Sequence, residues 1–205
     1  FDTYLRAVGA DADVAQAMVQ SVPSRLDRTW QTQYSGSGRN AVRNLVHVSE
    51  LDEADVEWFS ARADFEITPE HYADAGIRQR LTVDADLMTL LGFYVAEGSC
   101  SDRNGIRLSI GNGNVAFASE IAERMTRVFG IAPTLYEVVY RAAELKLVNR
   151  VAAAAWQSLF GFRGAESHTK RIPDLVFNVP ASLRLAFLRG YFRGDGTAAA
   201  GRVGF

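Results

Sequence analysis

Leu90-Leu91-Gly92-Phe93-Tyr94-Val95-Ala96-Glu97-Gly98 returns, in outline, as Leu188-Arg189-Gly190-Tyr191-Phe192-Arg193-Gly194-Asp195-Gly196. Each stretch has Leu, one residue, Gly, four residues, then a carboxylate and Gly, with a small residue (Ala96 or Gly194) before the acid. A fixed internal repeat outranks other sequence signals. Both stretches read as helices. Gly92 and Ala96 are four residues apart and share a face, as do Gly190 and Gly194. Small residues on one face let two helix backbones approach closely, although these segments are too short and too charged for a bilayer. Glycine inside a helix costs about 1 kcal/mol relative to alanine. Two equivalent glycines therefore point to packing of the two helices on each other.

The acids break a local rule twice. Glu97 and Asp195 each fall at a helix C-terminus, where a negative charge opposes the helix dipole by roughly 0.3–1 kcal/mol and where free carbonyls lack donors. If the helices pack side by side, the two carboxylates meet at one end. Such a cluster of oxygens attracts a hard divalent cation and positions water for attack on phosphate. Repeated breaches of local rules mark function.

Outward from the repeat, Asp84 is a fitting N-cap for a helix over about 85–97, and Gly98 a fitting stop. Asn104-Gly105 signals a hairpin turn. Ile106 to Ile110 alternates, with Leu108 and Ile110 facing a core and Arg107 and Ser109 opposite. Val115 to Phe129 is amphipathic and closes at Gly130. Thr134–Arg141 and Glu144–Arg150 read as a hairpin turning at Ala142-Ala143, so that 141 pairs with 144, 139 with 146 and 137 with 148. That register puts Tyr136, Val138, Tyr140, Leu145 and Leu147 on one face and Glu137, Arg141, Glu144, Lys146 and Arg150 on the other. A helix over about 151–160 follows, then Lys170-Arg171-Ile172-Pro173, then a helix opening near Pro180 and running into the second motif. From Leu81 the order is α-β-β-α-β-β-α and a further helix, an α+β unit with antiparallel pairs.

Residues 1–80 read as an accessory region. Ala10 to Val22 has helical spacing ended by Pro23, Tyr34 to Asn40 is a loop by composition, Leu45 to Val48 is a strand, Ser49 caps a helix reaching Phe59, and Thr68-Pro69-Glu70 opens a short helical turn.

The 205 residues suffice for one or two domains with a sizeable core. No apolar run is long enough to span a membrane, and no signal peptide is evident. A single cysteine, Cys100, excludes an internal disulfide and fits a reducing cytoplasm. His47, His71 and His168 are too scattered for a zinc site. The net charge of −2 is uneven: residues 141–205 hold ten Lys or Arg against four Asp or Glu, leaving −8 for residues 1–140. A basic stretch in an acidic chain suits a polyanion partner.

The two motifs resemble those of the LAGLIDADG homing endonucleases, in the dodecapeptide form found inside inteins. Lys170-Arg171-Ile172-Pro173 resembles the family's Lys-x-Ile-Pro block ahead of its second motif. Glu97-Gly98-Ser99-Cys100-Ser101-Asp102 and the element order look most like archaeal, haloarchaeal inteins. The resemblance runs from about Leu81 to the end. It implies a LAGLIDADG homing-endonuclease fold: an αββαββα half over 81–179 and the start of a second half over 180–205, behind the accessory region 1–80. It implies that Glu97 and Asp195 bind Mg²⁺ or Mn²⁺ and that Lys170 assists catalysis by stabilising the scissile phosphate or activating water. It also implies a sheet saddle on double-stranded DNA, making Arg107, Ser109, Arg141, Lys146 and Arg150 the expected DNA surface.

The implied activity is site-specific double-strand DNA cleavage by a cytoplasmic, pseudo-symmetric monomer that resides within a host protein. The chain departs from the family in beginning at Phe1 and ending at Phe205, with neither splice junction and only Thr197–Phe205 after the second motif. It therefore reads as a fragment that neither splices nor holds a complete second saddle. Arg189 and Arg193 are unusual neighbours for a tightly packed helix and reach towards its rim. The rival readings are a non-catalytic nucleic-acid-binding relative, maturase- or regulator-like, and a decayed intein domain. Intact acids at both positions argue against the former, since binding alone does not need them.

Overall fold

The computed structural model describes residues 3–7, 32–34, 40–42, 45–62, 65–69, 76–111, 115–137, 142–164, 168–195, 197–199 and 202–204. The chain divides into two compact units, 1–80 and 81–205, and is mixed α+β with antiparallel sheets. Among the described residues no helix is long and apolar enough to cross a membrane.

In the first unit, strands β1 (Thr3–Ala7), β4 (Leu45–His47), β5 (Phe65–Pro69) and β6 (Ile77–Arg78) form a sheet in the order β4-β1-β5-β6. A separate ribbon pairs β2 (Thr32–Tyr34) with β3 (Asn40–Val42). The helical segment expected over Ala10–Val22 lies outside the described residues.

Two expectations are corrected here. Thr68 and Pro69 end a strand rather than open a helical turn. The proline is tolerated because it lies past the residues of β5 that pair with β6, at the strand's end. Helix α1 (Glu53–Ser60) is capped by Asp52, not Ser49. Asp52 accepts from the Asp55 amide at 2.9 Å and Asp55 accepts in return from the Asp52 amide at 3.2 Å, a reciprocal cap that Ser49, held in a 3₁₀ turn over Val48–Glu50, cannot make.

The second unit follows the expected order. Helix α2 (Ala85–Glu97) starts where Asp84 accepts from the Leu87 amide at 2.9 Å. It runs directly into β7 (Gly98–Ser101), so Gly98 is extended rather than left-handed. Glycine is required there for space, because a Cβ would collide with the Tyr94 ring and lie 2.7 Å from Tyr94 O. After the Asp102–Asn104 turn, β8 (Gly105–Gly111) begins with Gly105 at φ +71°, which glycine adopts freely. Ile106, Leu108 and Ile110 are buried, in step with the alternation.

Helix α3 (Val115–Phe129) closes on Gly130 at φ +83°. Strands β9 (Thr134–Tyr136) and β10 (Ala143–Leu147) complete a sheet in the order β7-β8-β10-β9. Helix α4 (Arg150–Leu159) is capped by Asn149, and a 3₁₀ segment, Asp174–Asn178, precedes helix α5 (Ala181–Asp195). A short ribbon pairs β11 (Thr197–Ala199) with β12 (Arg202–Gly204). The core gathers Leu87, Met88, Leu90, Leu91, Phe93 and Tyr94 of α2 with Ile121, Met125, Phe129, Leu145, Leu147 and Trp156. Tyr94, Phe129, Phe160 and Phe162 surround the Trp156 ring, with centroids 4.9–6.1 Å away.

The β9–β10 register differs from the expected hairpin. Glu144 pairs with Tyr136, Leu145 with Leu135 and Lys146 with Thr134, so the connection is longer than the assumed Ala142-Ala143 turn. The slip is odd in number and so exchanges the faces of β9. Tyr136 joins the charged face, where Lys146 Nζ stands 4.4 Å from its ring centroid.

Candidate metal and nucleic-acid site

Helices α2 and α5 pack along their glycines. A Cβ on Gly92 would lie 2.7 Å from the Tyr191 backbone nitrogen, and one on Gly190 would lie 2.9 Å from the Thr89 carbonyl carbon. One on Gly194 would lie 2.5 Å from Ala96 Cβ and 3.0 Å from Glu97 Cγ. Thr89 Oγ1 donates to Ala85 O at 2.7 Å within its own helix and sits 3.4 Å from Ala186 O across the crossing. The repeat thus brings both C-termini to one end. There, burial first and the Asp195 charge second hold the Glu97 carboxyl above the usual carboxylate range, against an opposing pull from Lys170. Asp195 itself is exposed.

Lys170 occupies the same end. Its Nζ donates to Tyr94 O at 2.9 Å and to Gly98 O at 2.8 Å, and stands 5.3 Å from the Tyr94 ring centroid. At a helix C-terminus such carbonyls are acceptors without donors from the helix itself. The structure instead supplies an ammonium from more than seventy residues away. Burial pulls the Lys170 ammonium below its ordinary range, while Glu97 and then Asp195 oppose that pull. Tyr94, absent from the expected site, supplies both a carbonyl and a ring to this lysine. Its hydroxyl is pushed well up by burial.

Among the described residues no group of three or more His, Cys, Asp or Glu side chains could hold a metal ion. Any cation at this end would therefore rest on the Glu97 and Asp195 pair. The donor set fits Mg²⁺, which is commonly held by one or two carboxylates with water and phosphate oxygens filling the rest. Burial first and the Asp195 charge second raise the Glu97 carboxyl, and a divalent cation there would favour its ionised form against both.

The charged face of the sheet holds three of the five expected contact residues. Arg107 on β8 lies opposite Lys146 on β10, and Ser109 lies opposite Glu144. Glu144 accepts from Arg107 Nη2 at 2.5 Å and pairs with Lys146 Nζ at 2.9 Å. Arg141 falls outside the described residues. Arg150 is corrected: it sits in the first turn of α4, where the Asn149 side chain accepts from the Ala152 amide at 2.9 Å and turns the chain off the sheet. Arg193 also finds a place. Its Nη1 contacts both Glu120 oxygens, at 2.6 and 2.7 Å, and its guanidinium carbon stands 4.8 Å from the Phe117 ring centroid.

No protein-family model matches the chain. Over 175 residues, 80% of this chain, it is 29% identical to a DNA polymerase of Thermococcus kodakarensis, of which the match spans 9%. Over 113 residues, 55% of the chain, it is 26% identical to the DNA polymerase II large subunit of the same organism, of which the match spans 6%. It is 27% identical over 129 residues, 58% of the chain, to an uncharacterized protein of Methanocaldococcus jannaschii, of which the match spans 14%. The chain thus spans less than a tenth of the length of these polymerases.

Proposed function

We propose that residues 81–205 belong to a LAGLIDADG-type homing endonuclease domain carried by an intein, which cuts double-stranded DNA at a specific site by Mg²⁺- or Mn²⁺-dependent phosphodiester hydrolysis. The observation that carries this reading is the glycine-packed crossing of α2 and α5, which delivers Glu97 and Asp195 to one end beside Lys170. Similarity confined to 6–14% of the length of three differently named proteins fits a portable insert better than a polymerase function.

In this reading Glu97 and Asp195 hold the cation, which supplies charge stabilisation at phosphate and a more acidic water. Lys170, fixed by two carbonyls, presents positive charge beside the scissile phosphate. Arg107, Lys146 and Ser109 face the DNA, mixing phosphate and base-edge contacts. The outer face of α5 would take a second layer in a pseudo-symmetric monomer: Leu185 and Leu188 are 47% and 51% exposed, whereas their counterparts in the repeat, Leu87 and Leu90, are each 1% exposed.

The test uses the full-length protein and DNA carrying its target. Glu97→Gln combined with Asp195→Asn is expected to abolish Mg²⁺-dependent double-strand cleavage while leaving DNA affinity in place. Persistent Mg²⁺-dependent cutting by that double variant overturns the assignment.

A further inference from the structure

Two cations directly opposite one another on neighbouring strands destabilise a sheet, yet Arg107 and Lys146 are such a pair. Glu144 resolves the conflict. It stands two residues from Lys146 on the same face, opposite Ser109, and gives Oε1 to Arg107 and Oε2 to Lys146. Tyr136, opposite Glu144 on the other neighbouring strand, backs the Lys146 ammonium with its ring. Arg107 Nε is buried and has no hydrogen-bond partner among the described residues, so the hydrogen bond that fixes this guanidinium is the one from Nη2 to Glu144. All three charged side chains remain partly exposed, at 27–36%.

We propose that Glu144 is a specificity-determining residue that fixes Arg107 and Lys146 as a fork and cancels one of their two charges. The proposal rests on the reading of this face as the DNA surface. Binding to arbitrary DNA is driven by cations neutralising phosphates and releasing counterions. A face of two cations and one carboxylate carries half that drive. Discrimination comes instead from donors and acceptors held in fixed positions against base edges, and Glu144 supplies that fixity. Glu144 therefore weakens attraction to DNA in general and sharpens the choice among sequences.

The experiment measures the affinity of the full-length chain and its Glu144→Gln variant across a salt series. Two duplexes serve as probes: one of random sequence and one selected from a randomised library by the wild-type chain. Freeing one cationic contact steepens the dependence of log K on log[salt] by about 0.9 for the random duplex. If the affinities converge at 1 M salt, that is about eightfold tighter random binding at 0.1 M. The selected duplex does not gain equally, so the specificity ratio falls. The double variant Arg107→Gln with Glu144→Gln, which again presents one cation, returns the slope to the wild-type value.

An unchanged ratio in Glu144→Gln, or a slope that stays steep in the double variant, overturns the role of Glu144 alone. Absence of salt-dependent DNA binding by the wild-type chain overturns the DNA-surface reading itself.

Discussion

The crossing of α2 and α5 makes a sharp prediction, because the atoms blocking a side chain at Gly92 and Gly190 are backbone. An alanine Cβ at Gly92 would stand 2.7 Å from Tyr191 N and 2.9 Å from Phe187 C, and closer still to Phe187 O. At Gly190 it would meet the Thr89 carbonyl carbon at 2.9 Å and Thr89 Cα at 3.0 Å. No rotamer change relieves such contacts, so the helices must separate. Overpacking of this kind costs about 1–3 kcal/mol, and the upper part of that range applies where backbone must move. Alanine's better helix propensity returns about 1 kcal/mol. The expected net loss is therefore about 1–2 kcal/mol for Gly92→Ala or Gly190→Ala alone. For a unit of this size, that lowers the melting temperature by roughly 3–10 °C. The double variant should lose less than the sum, because one separation relieves both clashes. Circular dichroism melts and urea titrations of the four proteins read this directly. A Gly92→Ala variant as stable as wild type, or more so, would refute the close crossing and with it the convergence of Glu97 and Asp195.

Further outcomes follow from the same end of the helices. Gly194→Ala meets only side chains, Ala96 Cβ and Glu97 Cγ, so it should cost less stability than Gly92→Ala but a larger share of cleavage, measured as a kcat loss with near-normal melting. Glu97→Gln should raise the melting temperature at neutral pH. The folded state binds the Glu97 proton more tightly than the unfolded chain does, so native Glu97 costs stability as pH rises from the ordinary carboxylate range through its raised value; the gain should fade in acid. Lys170→Met removes two charge-assisted hydrogen bonds and should cost about 1–3 kcal/mol in urea unfolding, less the relief of leaving no half-buried ammonium. Asn149→Ala uncaps α4 at a buried position and should cost about 1 kcal/mol in the same assay.

The elements legible in the sequence were those fixed by local chemistry. The Asp84 cap, the Ile106–Ile110 alternation and the Val115–Phe129 helix with its closing glycine are set by side chains within a few residues of one another, and each stands where its pattern puts it. The failures share a different cause. Two strands that agree on a greasy side are consistent with an Ala142-Ala143 turn, but a loop's length is not written in the polarity of its flanks. An odd slip then carried Tyr136 to the other face. Arg150 looked like the last residue of a strand because its neighbours alternate, and only the Asn149 cap moves it to a helix. Lys170 was visible as a motif lysine, but its grip on Tyr94 O and Gly98 O depends on a contact across more than seventy residues. Glu144 stood in the sequence as one acid among basic residues. The cross-strand register that sets Arg107 opposite Lys146 is what makes it central.

That dependence on register and crossing explains why the acids at the helix ends are tolerable at all. Glu97 opposes the α2 dipole, and its neighbour in space is another carboxylate. An isolated helix would favour a cation in its last turn. The chain supplies that cation from outside the helix: Lys170 takes the Tyr94 and Gly98 carbonyls, and its charge offsets part of the Glu97 and Asp195 pair. With all three groups ionised, the end carries one net negative charge. A lysine in the last turn of α2 itself would stabilise the helix as well, but it would compete for the space where α5 must approach within backbone contact. Placing the cation on the segment before α5 keeps the crossing narrow, and among the described residues no arginine is paired with either carboxylate. Removing Lys170 should therefore raise the Glu97 carboxyl further, measurable by NMR titration of Glu97 in the Lys170→Met variant. A Glu97 titration that stays put or moves down would show that the lysine serves the carbonyls alone.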